Sequence, residues 1–383
     1  MRFQPLRRFL DEYPRSLGIP GSDTSVWQGG KEVFRYQSGY GNIEKKTPVP
    51  ADGLYNLYSC TKIATVCCLL TLLERGDIHL YDPVYAYLPA FRDVTVRFQK
   101  ENGEWDTRPA QTVMNIRHLM SMTSGMDYNL TSPEILSVIE RTGGRAPTVE
   151  IASAMAKVPL HFDPGTDYKY SLSHDVLGAV IEVVSGKSFG EYLKESILEP
   201  IGMNDTSFYL DESRERRMVT QYKYNRKTGC PEQIPASDLS CRFGTEYESG
   251  GGGLISSVDD YVKLAETLTH MGLAPNGNRI LSPFAVELLR TNVLEGRALD
   301  SYHKIGTRVL GYGYGLGVRT LMDPAKAATL SGEGEFGWDG AKLCYFISDP
   351  KNCVSVFHAE HMGEYHDPLQ TRLRNVIYAC LAR

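Results

Sequence analysis

The chain has 383 residues, 42% of them hydrophobic and 23% charged, with a net charge of −5 and a pI near 6.0. That length allows roughly two to three domain-sized units, or one large domain with an insert, and is ample for a sizeable core. The weakly acidic balance leaves no broad basic face, so no nucleic-acid partner is expected.

The first residues, MRFQPLRRFLDEYPRS, carry an Arg pair but no apolar core and no small-residue cleavage site. They do not read as a signal peptide. The longest apolar stretch, 63–73, is far short of the ~20 residues that span a bilayer. The eight cysteines (60, 67, 68, 230, 241, 344, 353 and 380) form no CxxC pair, and most lie in apolar runs. Reduced thiols, no membrane span and a cytoplasmic location are expected.

Residues 25–41 read as a β-hairpin turning at Gly29-Gly30, and 54–58 as a short strand running into Ser59. A helix is predicted over 59–75, because Ile63, Val66, Leu70 and Leu73 recur at helical spacing. Cys67, Leu69 and Leu72 spread apolar surface around the rest, so this helix should be central and buried, and Gly76 should end it. Residues 110–210 read as mainly helical, with helices at NIRHLMSM (stopped by Ser124-Gly125), 175–184 and 189–198. The segment 211–248 is polar and reads as loop, its arginines at 214, 216 and 217 forming a solvated face. Four glycines at 250–253 precede a helix at 257–271, whose Asp259 and Asp260 suit a first turn.

Toward the C-terminus, 311–321 (GYGYGLGVRTL) predicts one strand. Residues 341–347 and 353–359 predict a hairpin about Asp349-Pro350-Lys351-Asn352, and 368–381 a final helix. Strands, a helical block and strands again predict an α+β fold. An antiparallel sheet flanked by helices would come from both chain ends, 1–93 and 250–383, with a mainly helical domain, 94–249, inserted and the active site between them.

The pattern SxxK occurs at Ser59/Lys62, Ser301/Lys304 and Ser348/Lys351, and context separates the three. Ser348 and Lys351 straddle a Pro-containing turn, Ser301 lies in an aperiodic polar stretch, and only Ser59 opens a buried helix directly after a strand. At i and i+3 both side chains lie on one helix face, so an amine at 62 reaches a hydroxyl at 59. The Ser59 amide, in a first helical turn, is free to meet an oxyanion. An amine on an apolar helix is poorly solvated as its ammonium, and a neutral lysine can serve as base toward serine. The plain alternative is an N-cap serine beside a snorkelling lysine. Tyr170, in DPGTDYKYSLSHDVLG, can relay a proton between serine, lysine and leaving group, or simply pack its ring. In FGWDGAKLCYFI, Gly340 lets substrate approach the backbone and Ala341 N–H can supply a second oxyanion donor.

Taken in order, LYSCTKIAT, NIRHLMSMTSGM, FDPGTDYKYSLSHDVLGAVIEVVSGKSF, EPIGMNDTSF, GGGGLISSVDDY, YGYGLGV and FGWDGAKLCYFISDPKN resemble the serine β-lactamase-like superfamily over most of the chain. The resemblance is to its class C and carboxylesterase branch, with the penicillin-binding-protein-like fold. It implies Ser59 as nucleophile, Lys62 as base or proton shuttle, Tyr170 as their partner, and neither cofactor nor metal. Two departures bear on substrate. The β-lactamases of this branch carry Asn where this chain has Leu172, which cannot hydrogen-bond a substrate amide. They carry Lys-Thr-Gly where this chain has Trp338-Asp339-Gly340, in which Asp339 is expected to repel a carboxylate and Trp338 to form an apolar wall. Losing one charge-assisted hydrogen bond costs ~1.5–3 kcal/mol, so β-lactam and D-peptide turnover are disfavoured.

Other signals are weaker. Gly186–Gly190 matches GxSxG, but a helix precedes it where a nucleophile elbow needs a strand, and Ser188 with Glu191 reads as a capping box. His358, His361 and His366 lack HExxH spacing and read as pocket rim rather than metal site. His174 either touches substrate or satisfies a backbone carbonyl. The expected substrate is a small-molecule ester or amide. An ester hydrolase is favoured over an acyltransferase to an alcohol, a D-peptidase or amidase, a weak β-lactamase, or a non-catalytic binding protein. No pattern specifies an oligomeric state.

Overall fold

The computed structural model of the protein describes residues 2–235, 242–363 and 369–382. In chain order, helix α1 (Gln4–Ser16) is followed by strands β1 (Gly21–Gln28), β2 (Lys31–Asn42), β3 (Thr47–Pro48) and β4 (Leu54–Asn56) and helix α2 (Thr61–Arg75). Next come β5 (Thr95–Gln99) and β6 (Trp105–Pro109), then helices α3 (Ile116–Met120), α4 (Pro133–Arg141), α5 (Thr148–Met155), α6 (Ser173–Ser185), α7 (Phe189–Leu193), α8 (Glu199–Ile201) and α9 (Glu212–Glu215), and strands β7 (Tyr222–Asn225) and β8 (Cys230–Gln233). The last stretch holds β9 (Ile255–Ser257), α10 (Val258–Thr269), α11 (Pro283–Arg290), α12 (Gly296–His303), β10 (Tyr312–Tyr314), β11 (Arg319–Leu321), α13 (Pro324–Ala327), β12 (Phe336–Gly337), β13 (Tyr345–Asp349), β14 (Val354–Glu360), β15 (Met362–Gly363) and α14 (Leu369–Leu381).

One antiparallel sheet runs in the order β10-β11-β12-β13-β14-β1-β2-β3. β1 and β14, from opposite ends of the chain, pair side by side, with Ser22 facing Glu360 and Gln28 facing Val354. Strand alternation sorts the side chains to two faces. Val26, Tyr345, Ile347, Val354 and Val356 pack with Leu6 and Leu10 of α1 and Leu373 and Ile377 of α14. Phe346 and Phe357 point the other way, their ring centroids 5.8 and 5.0 Å from Tyr261 of α10. α2 is buried without a break from Thr61 to Leu70, as its all-round apolar surface predicts, and ends at Gly76 with φ 76°.

The expected hairpin at 25–41 exists and is longer, turning at Gly29 (φ 60°) and Gly30 (φ 80°). Four expectations are corrected. Residues 311–321 are not one strand but two, β10 and β11, paired antiparallel so that Tyr312 faces Leu321, with the Gly315–Gly317 stretch at the reversal. The segment 211–248 is not all loop, because it holds α9 and the β7–β8 hairpin. The helix after Ser59 begins at Thr61, and the helix at 115–122 ends at Met120, two residues before Met122 takes φ 59°. Elements not expected from the sequence include α1, whose Leu6 and Leu10 do recur at helical spacing, α11, α12 and the β5–β6 hairpin, whose strands are exposed along most of their length and so lack an apolar alternation. Among the described residues no helix is long and apolar enough to cross a membrane. Cys60, Cys67, Cys68, Cys344 and Cys380 are buried free thiols, Cys230 and Cys353 exposed ones, and Cys241 lies outside the described residues.

Candidate active site

β4 delivers the chain to a single 3-10 turn, Tyr58–Cys60, and Ser59 sits in it at the head of α2. Tyr58 enters that turn with φ 47°, a conformation a tyrosine adopts only when its surroundings hold it there. The restraints are visible. Tyr58 OH donates to Gln221 Oε1 at 2.5 Å, and Leu57 N–H donates to Leu254 O at 2.9 Å. His361 accepts from Asn56 N–H through Nε2 (2.9 Å), while its Nδ1 bonds Val219 O (2.6 Å). A ring that accepts at Nε2 and donates at Nδ1 must be neutral, and burial holds this one so, pushing its pKa down to about 4.

Lys62 Nζ donates to Ser59 Oγ at 3.2 Å and to Gly251 O at 2.6 Å. The four-glycine run therefore lies along the first turns of α2, where Thr65 Oγ1 also donates to Gly250 O (2.7 Å). A Cβ at Gly250 would come 2.2 Å from His174 O, so only glycine permits this approach. Lys62 Nζ lies 4.7 Å from the ring centroid of Tyr170 and 5.6 Å from that of Tyr128. Lys62 thus meets the face of Tyr170, and the Tyr170 hydroxyl accepts instead from Trp338 Nε1 at 3.2 Å. Tyr128, Tyr170 and Trp338 form one stack, with successive centroids 5.6 and 5.7 Å apart.

Trp338-Asp339-Gly340 follows β12. A Cβ at Gly340 would lie 2.4 Å from Leu57 O, so the turn carrying Ala341 is pressed against the segment carrying Ser59. Gly340 N–H donates to Cys344 O (2.7 Å) and Leu343 N–H back to Gly340 O (3.0 Å). Residues 341–344 are therefore turn, and the strand expected from 341 starts at Tyr345. Ser59, Tyr170, Trp338, Asp339, Gly340 and Ala341 all line one cavity of about 310 Å³.

The other candidates lie elsewhere. Leu172 is buried at the start of α6 and faces a separate small cavity with Met126, Asp127 and Met155. His174 is fully buried between Val66 and Gly317, and neither ring nitrogen has a hydrogen-bond partner, so it neither meets the cavity nor satisfies a carbonyl. Burial first, and Lys62 second, hold it neutral. His358 and His361 are core, not rim. His358 bonds Thr24 (2.8 Å) and Glu360 (3.0 Å), and His366 lies outside the described residues. Ser188 and Glu191 do form a capping box. Asp339 does not stand as a bare anion, because Arg319 Nη1 donates to it at 2.8 Å. Sequence reasoning missed Arg308, Arg319 and Arg374, which line the same cavity. For Arg319 and Arg374 the available signal was an arginine at an inward position of a strand or helix; Arg308, exposed on the turn Thr307–Val309, gave none.

Residues 6–369 match the Beta-lactamase family. The chain belongs to the Beta-lactamase family. Within it, Protein Rv1367c of Mycobacterium tuberculosis is 31% identical over 356 residues, covering 90% of this chain and 86% of that one. Esterase EstB of Burkholderia gladioli is 28% identical, covering 97% and 93%. The solved structure of EstCE1, described as a hydrolase with promiscuous acyltransferase activity, superposes with a TM-score of 0.80 at 25% identity, covering 98% of each chain. The antiparallel sheet with its flanking helices is the fold this Beta-lactamase family member shares with EstCE1.

Proposed function

We propose that this serine hydrolase is a carboxylesterase working through an acyl-enzyme on Ser59. The observation that carries the reading is a buried amine, Lys62 Nζ, 3.2 Å from a serine hydroxyl that itself faces a cavity. A small-molecule ester enters, and Ser59 Oγ attacks its carbonyl carbon while Lys62 Nζ takes the hydroxyl proton. The Ser59 and Ala341 N–H groups receive the oxyanion; one such donor is typically worth ~10²–10³ in rate. The leaving alcohol collects a proton by way of Lys62 and Tyr170, and water then resolves the acyl-enzyme. In this reading the site lies between segments 1–93 and 250–383, which supply Ser59, Lys62 and Ala341, and the inserted segment 94–249, which supplies Tyr170.

The names of EstB and EstCE1 support an ester substrate. Leu172, turned away from the cavity, leaves no amide partner there, which tells against D-peptides and β-lactams. EstCE1 also supports acyl transfer to an alcohol as a second outcome of the same acyl-enzyme. The test is single-turnover acylation and steady-state turnover of p-nitrophenyl acetate, butyrate and octanoate beside nitrocefin, for wild type and Ser59→Ala. Ester turnover that vanishes in Ser59→Ala is expected. A stalled acyl-enzyme released by added alcohol would favour transfer, and faster nitrocefin than ester turnover would overturn the reading.

A further inference from the structure

The turn that carries Ala341 is anchored from a neighbouring strand. Backbone bonds from Phe346 N–H to Trp338 O (3.1 Å) and from Gly340 N–H to Cys344 O (2.7 Å) close residues 338–346 into a hairpin with Ala341–Leu343 at its tip. Leu343 takes φ 70° there, a left-handed conformation that is uncommon for leucine and that the surroundings must impose. The surroundings include β11. Arg319, its side chain 4% exposed, donates from Nη1 to Asp339 Oδ1 at 2.8 Å and from Nη2 to Phe346 O at 3.2 Å. Asp339 stands on the outgoing arm of the hairpin and Phe346 on the return arm, so one guanidinium staples both arms below the tip. The guanidinium is itself held in place. Glu335 Oε1 lies 3.5 Å from Nη2, and the rings of Tyr345 and Tyr312 lie 4.9 and 5.9 Å from its central carbon. Arg308, exposed, is more distant from the carboxylate, 4.0 Å from Asp339 Oδ2.

We infer that Arg319 and Asp339 are positioning residues for the oxyanion: together they hold the hairpin tip so that Ala341 N–H meets the carbonyl oxygen of the ester that Ser59 attacks. The inference rests on the ester-hydrolase reading and deepens it by naming what orients the second donor. In this role neither side chain meets the reacting atoms. Asp339 serves as an anchor for the backbone on which Ala341 sits, and Arg319 acts through it. The planar fork suits the task, because two nitrogens of one rigid group fix two acceptors at a set separation. Such an anchor is needed, since a donor contributes fully only when held within about 0.5 Å of its productive place.

The test compares 4-nitrophenyl butyrate with its thionoester, in which sulfur replaces the carbonyl oxygen. Sulfur is a weak hydrogen-bond acceptor, so the thionoester gains little from an oxyanion donor. kcat/KM for both esters is measured on wild type, Asp339→Asn and Asp339→Ala, with thermal melting to confirm folding. The intrinsic difference between the two esters is the same for every variant. A change in the oxo-to-thiono ratio therefore reads the oxyanion donors, and an ion pair that only stabilised the fold would leave it unmoved. The ratio should fall about tenfold in Asp339→Ala, where the anchor is lost and the donor is displaced rather than deleted. It should fall less in Asp339→Asn, whose amide oxygen still accepts from Arg319 but without the charge. An unchanged ratio in folded Asp339→Ala, whatever its kcat, would overturn the inference and leave the esterase reading standing. If Asp339→Ala does not fold, the nearly isosteric Asp339→Asn decides: a several-fold fall supports the inference and an unchanged ratio overturns it. Wild-type protein that turns over neither ester would sink both.

Discussion

Gly340→Ala asks whether the turn carrying Ala341 must lie against the Ser59 segment. The added methyl would sit 2.4 Å from Leu57 O and 3.1 Å from Cys344 Cβ, whereas real Cβ atoms stay 3.0 Å or more from such neighbours. Leu57 cannot retreat easily. Its N–H is bonded to Leu254 O at 2.9 Å, and its O accepts from Cys60 N–H at 3.2 Å. The turn must therefore back away by at least about 0.6 Å, a forced repacking that costs about 1–3 kcal/mol. Ala341 N–H moves with it, off the place where an oxyanion would form. A donor misplaced by about 1 Å costs on the order of 10² in rate. The expected result is a folded protein, a few degrees less stable, whose kcat on p-nitrophenyl butyrate falls about a hundredfold while KM changes little. Circular dichroism and thermal melting check the fold, and a burst experiment separates acylation from deacylation. Wild-type kcat in a folded Gly340→Ala protein would refute the placement of the second oxyanion donor at Ala341.

Ser59→Ala should reduce ester turnover by ~10³ or more and Lys62→Met by at least ~10², both with unchanged urea midpoints. Arg319→Met should lower stability by about 3–5 kcal/mol in urea titrations, since Asp339 and Glu335 would lose a buried partner. Acid should also weaken the fold through histidine. His361 and His118 are held neutral by burial, with pKa values near 4, whereas an unfolded histidine takes its proton near 6.5. Below pH 6.5 the unfolded chain binds more protons than the folded one. Each histidine therefore removes stability as pH falls toward 4, to a limit of about 3 kcal/mol. Asp23 and Glu182, raised by burial to about 7, act in the opposite sense over the same window. The histidine share is thus read as the difference in pH slope between wild type and His361→Gln, and equal slopes would refute the neutral-ring assignment.

Local pattern carried much of this protein. The spacing of Ile63, Val66, Leu70 and Leu73 is enough to mark α2, and the i, i+3 placement of Ser59 and Lys62 requires only helix geometry to bring amine to hydroxyl. Gly29-Gly30 and the Asp349–Asn352 turn mark their hairpins because turns are decided by a few adjacent dihedrals. Tyr170 and Gly340 were legible only as parts of an ordered set of motifs. What escaped was long-range. Leu172 and His174 sit beside Tyr170 in sequence, yet they face away from the cavity because the start of α6 turns their side chains into the core. Asp339 alone suggested repulsion of a carboxylate; across the sheet it meets Arg319, twenty positions earlier, and the sign of the argument changes. Arg308 and Arg374 share a cavity only because α14 and the 305–309 turn close over the same sheet end. A charge acts through distance in space, not along the chain, so the Ser59–Lys62 pairing was readable from the sequence by itself and the electrostatics of the pocket around it belonged to the tertiary fold.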